Sequence, residues 1–165
     1  MDTSATSLVS RVLLTGPPGI GKTTVCKNVA SILEKQNRNF NGFYTEEVRA
    51  ENGSRIGFDI VPIKDGKDKR VPLARIESIL SQAQFSKYRV GNYHVFVDNF
   101  ESSVMPILKT ETEILLIDEI GKMELYSKKF HDEIIDIFFG LPKKIYIVAT
   151  IPQMHKKKPP LLSKE

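Results

Sequence analysis

Residues 16–23 read Gly16-Pro17-Pro18-Gly19-Ile20-Gly21-Lys22-Thr23 and fit the pattern G-x-x-x-x-G-K-[ST] at every fixed position. Glycines at this spacing let the backbone curl so that successive N–H groups point at phosphate oxygens, and a following helix adds its positive end. We expect Lys22 to bridge the β- and γ-phosphates, the Thr23 hydroxyl to bind Mg²⁺ and Thr24 to reach the α-phosphate. The stretch therefore predicts a P-loop, which holds the phosphates of a nucleoside triphosphate.

The segments on either side of this loop have the periodicity that a P-loop requires. Residues 9–14 form a short apolar run that is typical of a buried parallel strand. Over Lys22–Lys35, apolar residues recur at helical spacing: Val25, Val29, Ile32 and Leu33. Strand, glycine loop and helix follow one another in the expected order.

A second apolar strand, Ile114–Ile117, ends in two carboxylates, Asp118 and Glu119. In P-loop proteins an aspartate at the end of such a strand holds Mg²⁺, usually through water, opposite the P-loop hydroxyl, and Asp118 fits that task. Glu119 would then lie beside the γ-phosphate, where a carboxylate can orient and deprotonate water. This arrangement is typical of hydrolases in the additional-strand, catalytic-glutamate division of P-loop proteins.

The reaction needs more positive charge than Lys22 supplies, since a further cation at the transferring phosphoryl group contributes about 10³–10⁵ in rate. Lys122, three residues after Glu119, is the first candidate. Three arginines in or near the middle of the chain are others: Arg55, Arg75 and Arg89. Thr150, at the end of a later apolar run, either contacts the γ-phosphate or the attacking water, or caps a turn.

The middle of the chain interrupts the alternation of strands and helices. Residues 43–49 and 55–61 read as strands joined by a short polar connection that contains Asn52-Gly53, which is typical of a hairpin. Residues 73–85 are ambiguous between loop and short helix, and residues 89–98 predict a strand. We expect this antiparallel insert to cover about residues 42–98.

The remaining pattern predicts helices over residues 100–109 and 127–139 and a strand over residues 145–149. Pro106 weakens the first of these helices. We therefore expect a single P-loop NTPase domain over residues 1–165. Its fold class is α/β, a three-layer sandwich with a mainly parallel sheet and the antiparallel hairpin insert.

The composition of the chain argues against a membrane or nucleic acid as its binding partner. No run of about 18 apolar residues predicts a membrane span, and residues 1–10 lack the order of a signal peptide. The net charge is +4, but much of the basic excess lies in residues 64–70 and 156–158, which lack interleaved aromatics and read as solvated loops. The single cysteine, Cys26, excludes an intrachain disulfide. We expect a cytoplasmic monomer that uses neither a membrane nor nucleic acid.

Five segments together carry a family resemblance. They are residues 16–23, Gly-Phe-Tyr-Thr-Glu-Glu-Val-Arg at 42–49, Ile-Gly-Phe-Asp at 56–59, Arg-Val-Gly at 89–91 and Asp-Glu-Ile-Gly-Lys-Met-Glu at 118–124. In this order they resemble the small thermostable-type nucleoside-triphosphatase family, over about residues 10–160. The resemblance implies a recombinase-like α/β core. It also implies slow, Mg²⁺-dependent hydrolysis of ATP, GTP and other ribo- or deoxyribo-NTPs to NDP and phosphate, with little base selectivity.

The resemblance also assigns residues. The catalytic set is Glu119, Lys22 and Lys122, and the metal ligands are Thr23 and Asp118. The predicted nucleotide-binding set is Gly16, Pro17, Pro18, Gly19, Ile20, Gly21, Lys22, Thr23, Thr24, Asp118, Glu119, Ile120, Gly121 and Lys122. Family members usually continue past residues 159–160 with a further helix, strand and terminal helix, so we expect these C-terminal elements to be missing from a chain of 165 residues.

Two other functions stay open at this point. A small P-loop nucleotide or nucleoside kinase would share the loop, although such kinases usually carry an arginine-rich lid, and the late basic stretch here contains lysine and proline. An NTP-binding switch would use slow hydrolysis only to reset a partner interaction. The chain lacks the Asn-Lys-x-Asp guanine signature, but slow turnover suits a switch, and protein partners are not predicted by any motif.

Overall fold

The computed structural model describes residues 10–64, 66–140 and 145–153, apart from the side chains of residues 66 and 67. Together with short 3₁₀ turns, it contains three α-helices and eight strands within these ranges. In chain order they are β1 (Arg11–Gly16), α1 (Lys22–Lys35), β2 (Phe40–Arg49), β3 (Arg55–Pro62), β4 (Val71–Ile76), β5 (Arg89–Val90), β6 (Tyr93–Val95), α2 (Val97–Lys109), β7 (Ile114–Ile117), α3 (Lys128–Phe139) and β8 (Tyr146–Pro152). The bounds predicted for α1 and β7 are confirmed.

All eight described strands form one mixed sheet, in the order β1-β8-β7-β2-β3-β4-β6-β5. The pairings β1–β8, β8–β7 and β7–β2 are parallel. The pairings β2–β3, β3–β4, β4–β6 and β6–β5 are antiparallel. The predicted α/β class is confirmed, but the sheet is mixed and not mainly parallel, because the insert adds three antiparallel strands beyond its first hairpin.

The ambiguous segment 73–85 overlaps a strand that the sequence pattern did not reveal. β4 covers Val71–Ile76, and two short 3₁₀ turns follow it. Pro72 argued against a strand in the sequence, because proline in a sheet is confined to edges and irregular positions. It lies opposite Asp59, where the β3–β4 register shifts. Such an irregularity tolerates the missing N–H, and complete burial of Leu73 and Ala74 favours the strand.

Two other predictions needed correction. The single strand expected over 89–98 is a small hairpin of β5 and β6, because Gly91 adopts a positive φ of 57° and turns the chain. α2 begins earlier than expected, at Val97, and runs through Pro106 to Lys109. Its buried side chains, Phe100 and Val104 among them, anchor it against the sheet and outweigh the local cost of the proline.

Helices cover both faces of the parallel half, so the predicted three layers are present. Along β7 the side chains alternate. Leu115 and Ile117 join the core beneath α2 and α3, whereas Leu116 packs with Ala30 of α1 and with Phe40. The larger core centres on three rings in edge-to-face contact, with centroids 5.0–6.3 Å apart: Phe43, Phe100 and Phe130. Within the described ranges, no helix has the length and hydropathy needed to cross a bilayer.

Gly42 allows β2 to pair closely with β7, and its replacement tests this junction. A Cβ at Gly42 would lie 2.0 Å from the carbonyl oxygen of Leu116, and the residue has a φ of +153°. Gly53→Ala is the control, because Gly53 has a positive φ but open space around it, so it should cost only the backbone strain of about 1–2 kcal/mol. We expect Gly42→Ala to lower the free energy of unfolding, measured by urea denaturation, by about 1–3 kcal/mol more than Gly53→Ala does. A Gly42→Ala protein as stable as the wild type would contradict this packing.

Candidate nucleotide-binding and catalytic site

The glycine loop connects the carboxyl end of β1 to the first turn of α1. Gly19 and Gly21 have φ values of 77° and 103°, a region that residues with a Cβ rarely adopt. Gly21 is the N-cap of α1 and has no side chain with which to cap the helix. The first N–H groups of α1 therefore face the loop, which is the arrangement that binds anions.

Lys22 bends back over this loop. Its Nζ donates to the carbonyl oxygens of Gly16 at 3.0 Å and Pro17 at 3.3 Å. These neutral acceptors hold the ammonium group beside the loop backbone. A phosphate placed on the loop would offer the ammonium group a charged acceptor and a stronger hydrogen bond.

A cleft of about 780 Å³ opens beside the loop. Nine of the predicted site residues line it: Gly16, Pro18, Gly19, Gly21, Lys22, Thr23, Thr24, Glu119 and Lys122. It is also lined by residues that the sequence analysis did not assign to the nucleotide, namely Lys27, Thr45, Glu46, Glu47, Phe58, Pro152 and Gln153, together with Arg55. Another cavity of about 770 Å³, lined by Tyr88 and Tyr126 among others, contains neither the glycine loop nor Glu119.

The other predicted site residues lie beneath or beside this cleft. Pro17 contributes its carbonyl to Lys22, and the Ile20 side chain is 65% exposed. Ile120 packs against the main core, and its N–H donates to the carbonyl oxygen of Thr150 at 2.9 Å. Gly121 is buried. The geometry thus gives Ile120 and Gly121 a part in shaping the loop after β7, rather than in lining the cleft.

Asp118 is fixed by three hydrogen bonds at the carboxyl end of β7. Its N–H donates to the carbonyl oxygen of Phe43 at 3.2 Å, and its own carbonyl accepts from the Thr45 hydroxyl at 2.9 Å. The Thr150 hydroxyl donates to Asp118 Oδ1 at 2.8 Å. Thr150 is completely buried and is not among the residues that line the cleft, and the hydrogen bond from its hydroxyl holds Asp118 in place.

The second carboxyl oxygen of Asp118 bears on the metal prediction. Asp118 is 1% exposed, and Oδ2 accepts no hydrogen bond from the described residues. A buried carboxylate oxygen without a donor is costly unless a cation or ordered water completes it. The described residues include no group of three or more His, Cys, Asp or Glu side chains placed to hold a metal. Mg²⁺ needs none, because it usually takes one or two protein oxygens, substrate phosphates and water. The Asp118 Oδ2 atom and the Thr23 hydroxyl on the cleft wall are oxygen ligands of the kind that this ion takes.

Glu119 follows Asp118 and is half-buried on the wall of the cleft. Burial raises the pKa of its carboxyl group above the ordinary value, and the negative charge of Asp118 raises it further. The positive charge of Lys22 acts in the opposite direction. Glu119 is thus electrostatically coupled to both the glycine loop and the proposed metal ligand.

Glu124 is the site residue to which the sequence analysis gave no role, although it closes the Asp-Glu-Ile-Gly-Lys-Met-Glu segment. It is 3% exposed, and its Oε2 accepts from the Gly121 N–H at 3.1 Å. A Cβ at Gly121 would lie 2.8 Å from Glu124 Oε2 and 3.1 Å from Glu119 Oε1. Gly121 therefore leaves room for two carboxyl groups, and Glu124 holds the loop that presents Glu119.

The three candidate arginines are separated by the fold. Arg75 donates to the carbonyl oxygens of Phe58 and Ala74, each at 2.9 Å, and its Nη2 lies 2.6 Å from Asp59 Oδ1. Arg89 pairs with Glu77. Arg55 alone of the three lines the cleft, as does the exposed Lys122.

Comparison with known proteins covers most of the chain. Residues 11–164 match the profile of the NTPase family. The mouse cancer-related nucleoside-triphosphatase homolog is 39% identical over 161 residues, which span 93% of this chain and 80% of the mouse protein. The solution structure of a human cancer-related nucleoside triphosphatase has a TM-score of 0.70 and 38% identity, over 90% of this chain and 78% of that one. The crystal structure of THEP1 from the hyperthermophile Aquifex aeolicus has a TM-score of 0.67 and 37% identity, over 86% of this chain and 76% of that one.

The buried carboxyl group of Glu124 should make stability depend on pH. Burial raises its pKa from 4.5 to about 8, so the folded protein keeps a proton that the unfolded chain releases. The stabilisation is complete below pH 4.5 and is lost as the pH rises to about 8, by at most about 1.4 kcal/mol per pH unit. Relative to Glu124→Gln, which keeps an acceptor for Gly121 but does not titrate, the wild type should therefore lose stability across this window.

Urea denaturation at several pH values measures this difference. Glu111→Gln, at an exposed position, is the control and should follow the wild type throughout. A constant difference in the free energy of unfolding between wild type and Glu124→Gln from pH 5 to pH 8 would show that Glu124 is not held as the neutral acid.

Proposed function

The chain belongs to the NTPase family, and from this we propose that it binds nucleoside triphosphates on the loop of residues 16–23 and hydrolyses them to NDP and phosphate. Glu119 lies on the wall of the same cleft as Lys22 and Thr23, directly after a buried aspartate. A carboxylate in that place can act on a water molecule beside the terminal phosphate, as general-base catalysis requires.

Binding rests on the loop and the start of α1. The backbone N–H groups of the loop and the N-terminus of α1 attract the phosphates. Lys22 leaves the carbonyl oxygens of Gly16 and Pro17 for the β- and γ-phosphate oxygens, and Thr24, exposed on the cleft wall, hydrogen bonds to the α-phosphate. The charge on Lys22 also moderates the repulsion between the substrate and the carboxylates after β7.

The chemical step uses Glu119. Its carboxylate accepts a proton from water as the water oxygen forms a bond to the γ-phosphorus. The bond between that phosphorus and the bridging oxygen breaks, and NDP leaves with the electron pair. Lys22 and Lys122, both on the cleft wall, stabilise the negative charge that spreads over the transferring phosphoryl group. Glu124 and Gly121 keep the Glu119 carboxyl group in place.

Mg²⁺ is the proposed cofactor. Thr23 and Asp118 would hold it, Asp118 through the oxygen that has no protein donor among the described residues. When bound, the ion would neutralise charge on the β- and γ-phosphate oxygens. The Thr150 hydroxyl keeps Asp118 in one orientation by occupying its other oxygen. Low base selectivity, slow turnover, a monomeric state and a cytoplasmic location stay predictions.

Glu119→Gln tests the proposed base. Glutamine keeps the shape and most hydrogen bonding of glutamate but cannot accept the proton. The variant should bind MgATP with near wild-type affinity, measured by calorimetry, whereas its single-turnover hydrolysis should fall by about 10²–10⁴.

Glu46→Gln is the matched control, because Glu46 is another carboxylate on the wall of the same cleft. The Glu46 carboxylate pairs with Lys27 and Arg70. This variant should hydrolyse ATP within about twofold of the wild type, as expected for a partly exposed ion pair. Wild-type hydrolysis by Glu119→Gln would exclude Glu119 as the base and favour a kinase or a binding switch.

A further inference from the structure

The antiparallel insert places one cation on the wall of the nucleotide cleft. Arg55 is the first residue of β3, and its side chain is 43% exposed. Its Nε donates to the Tyr93 hydroxyl at 3.0 Å, and its Nη1 donates to Glu47 Oε1 at 2.8 Å. The guanidinium carbon lies 5.0 Å from the centre of the Phe58 ring and 5.8 Å from that of Tyr93. Two aromatic rings and a hydroxyl thus fix the guanidinium group.

The carboxylate that holds Arg55 has a second partner. Glu47 pairs through its other oxygen with Arg49, which also donates to the carbonyl oxygen of Gly53 at 2.8 Å. Arg49 belongs to the same hairpin but does not line the cleft. If Arg55 leaves Glu47, the Glu47 carboxylate still pairs with Arg49. Arg55 can therefore move to another anion without leaving Glu47 unpaired.

The other cations on the described cleft wall are Lys22, Lys27 and Lys122. Lys27 is paired with Glu46, and Lys22 belongs to the glycine loop. Lys122 is a point charge on a flexible stem. Arg55 differs from all three, since its planar guanidinium offers two parallel donors that match the oxygens of a terminal phosphoryl group. The aromatic contacts keep that plane oriented when the partner anion changes.

We infer that Arg55 recognises the terminal phosphate of the substrate by exchanging Glu47 for the γ-phosphate oxygens, and so makes the insert responsible for selecting triphosphate over diphosphate. This inference rests on the proposed function, because it assigns the phosphates to the loop of residues 16–23. Tyr93 is a positioning residue for Arg55. The cation comes from the same chain, so no partner protein is needed to supply it.

The experiment compares ATP and ADP affinities, measured by calorimetry in the presence of Mg²⁺, in the background of Glu119→Gln. Arg55→Ala should weaken ATP binding about 10- to 100-fold, as expected for charge-assisted hydrogen bonds, and should change ADP binding less than about twofold. Arg55→Lys should recover part of the loss through its charge. Arg49→Ala is the matched control, because Arg49 also pairs with Glu47 but does not line the cleft. This variant should leave the ATP and ADP affinities unchanged. Thermal melts establish whether each variant is folded. If Arg55→Ala is not folded, the comparison of ATP and ADP affinities is made with Arg55→Lys alone.

Equal losses of ATP and ADP affinity in the Arg55 variants would overturn the inference, as would similar effects of Arg55→Ala and Arg49→Ala, since either result indicates a structural role. The outcome is independent of hydrolysis. A wild-type protein that binds ATP but releases no phosphate would refute the proposed function, while a selective loss of ATP affinity would still place Arg55 on the γ-phosphate.

Discussion

The parallel register of β1, β8 and β7 is the constraint on which the site depends. Leu14 pairs with Thr150, and Ile117 pairs with Ala149. The chain after β1 and the chain after β7 therefore emerge at the same edge of the sheet, with Thr150 between them. The buried hydrogen bond from Thr150 to Asp118 joins β8 to the end of β7 at this point. A shift of one residue in either pairing would turn these side chains to the opposite face of the sheet.

The sequence predicted the parts of the site that local chemistry specifies. The glycine loop, α1 and the acidic end of β7 each have a short, continuous pattern, because backbone conformation and burial determine them within a few residues. The roles of Thr150 and Glu124 were not predictable in the same way. Each depends on a hydrogen bond with a partner on another segment or across a tight turn, and a threonine or glutamate in isolation has many possible partners. β4 escaped prediction because pairing with β3 and β6 stabilises it in spite of Pro72.

The antiparallel insert was likewise only partly predictable from the sequence. Its hairpin was predictable from Asn52-Gly53 and the strands on either side. The choice among Arg55, Arg75 and Arg89 was not, because it depends on which residue the mixed sheet brings onto the wall of the cleft. Arg75 is held inside the insert by Asp59 and two carbonyl oxygens, whereas Arg55 begins β3 and lies on the cleft wall. Tertiary placement thus separates an arginine that stabilises the insert from one that is available to a substrate.

Phosphate release without an added acceptor is the direct test of whether this chain transfers the γ-phosphate to water. The purified chain would be incubated with each of several ribo- and deoxyribo-NTPs, with Mg²⁺ and with EDTA, while phosphate and NDP are both quantified. We expect equal amounts of phosphate and NDP from several NTPs in the presence of Mg²⁺, and phosphate release at the level of the protein-free blank in EDTA. Bound nucleotide without phosphate release, or release of NDP only when a second phosphate acceptor is supplied, would contradict the assignment of water as the acceptor and of Glu119 as its base.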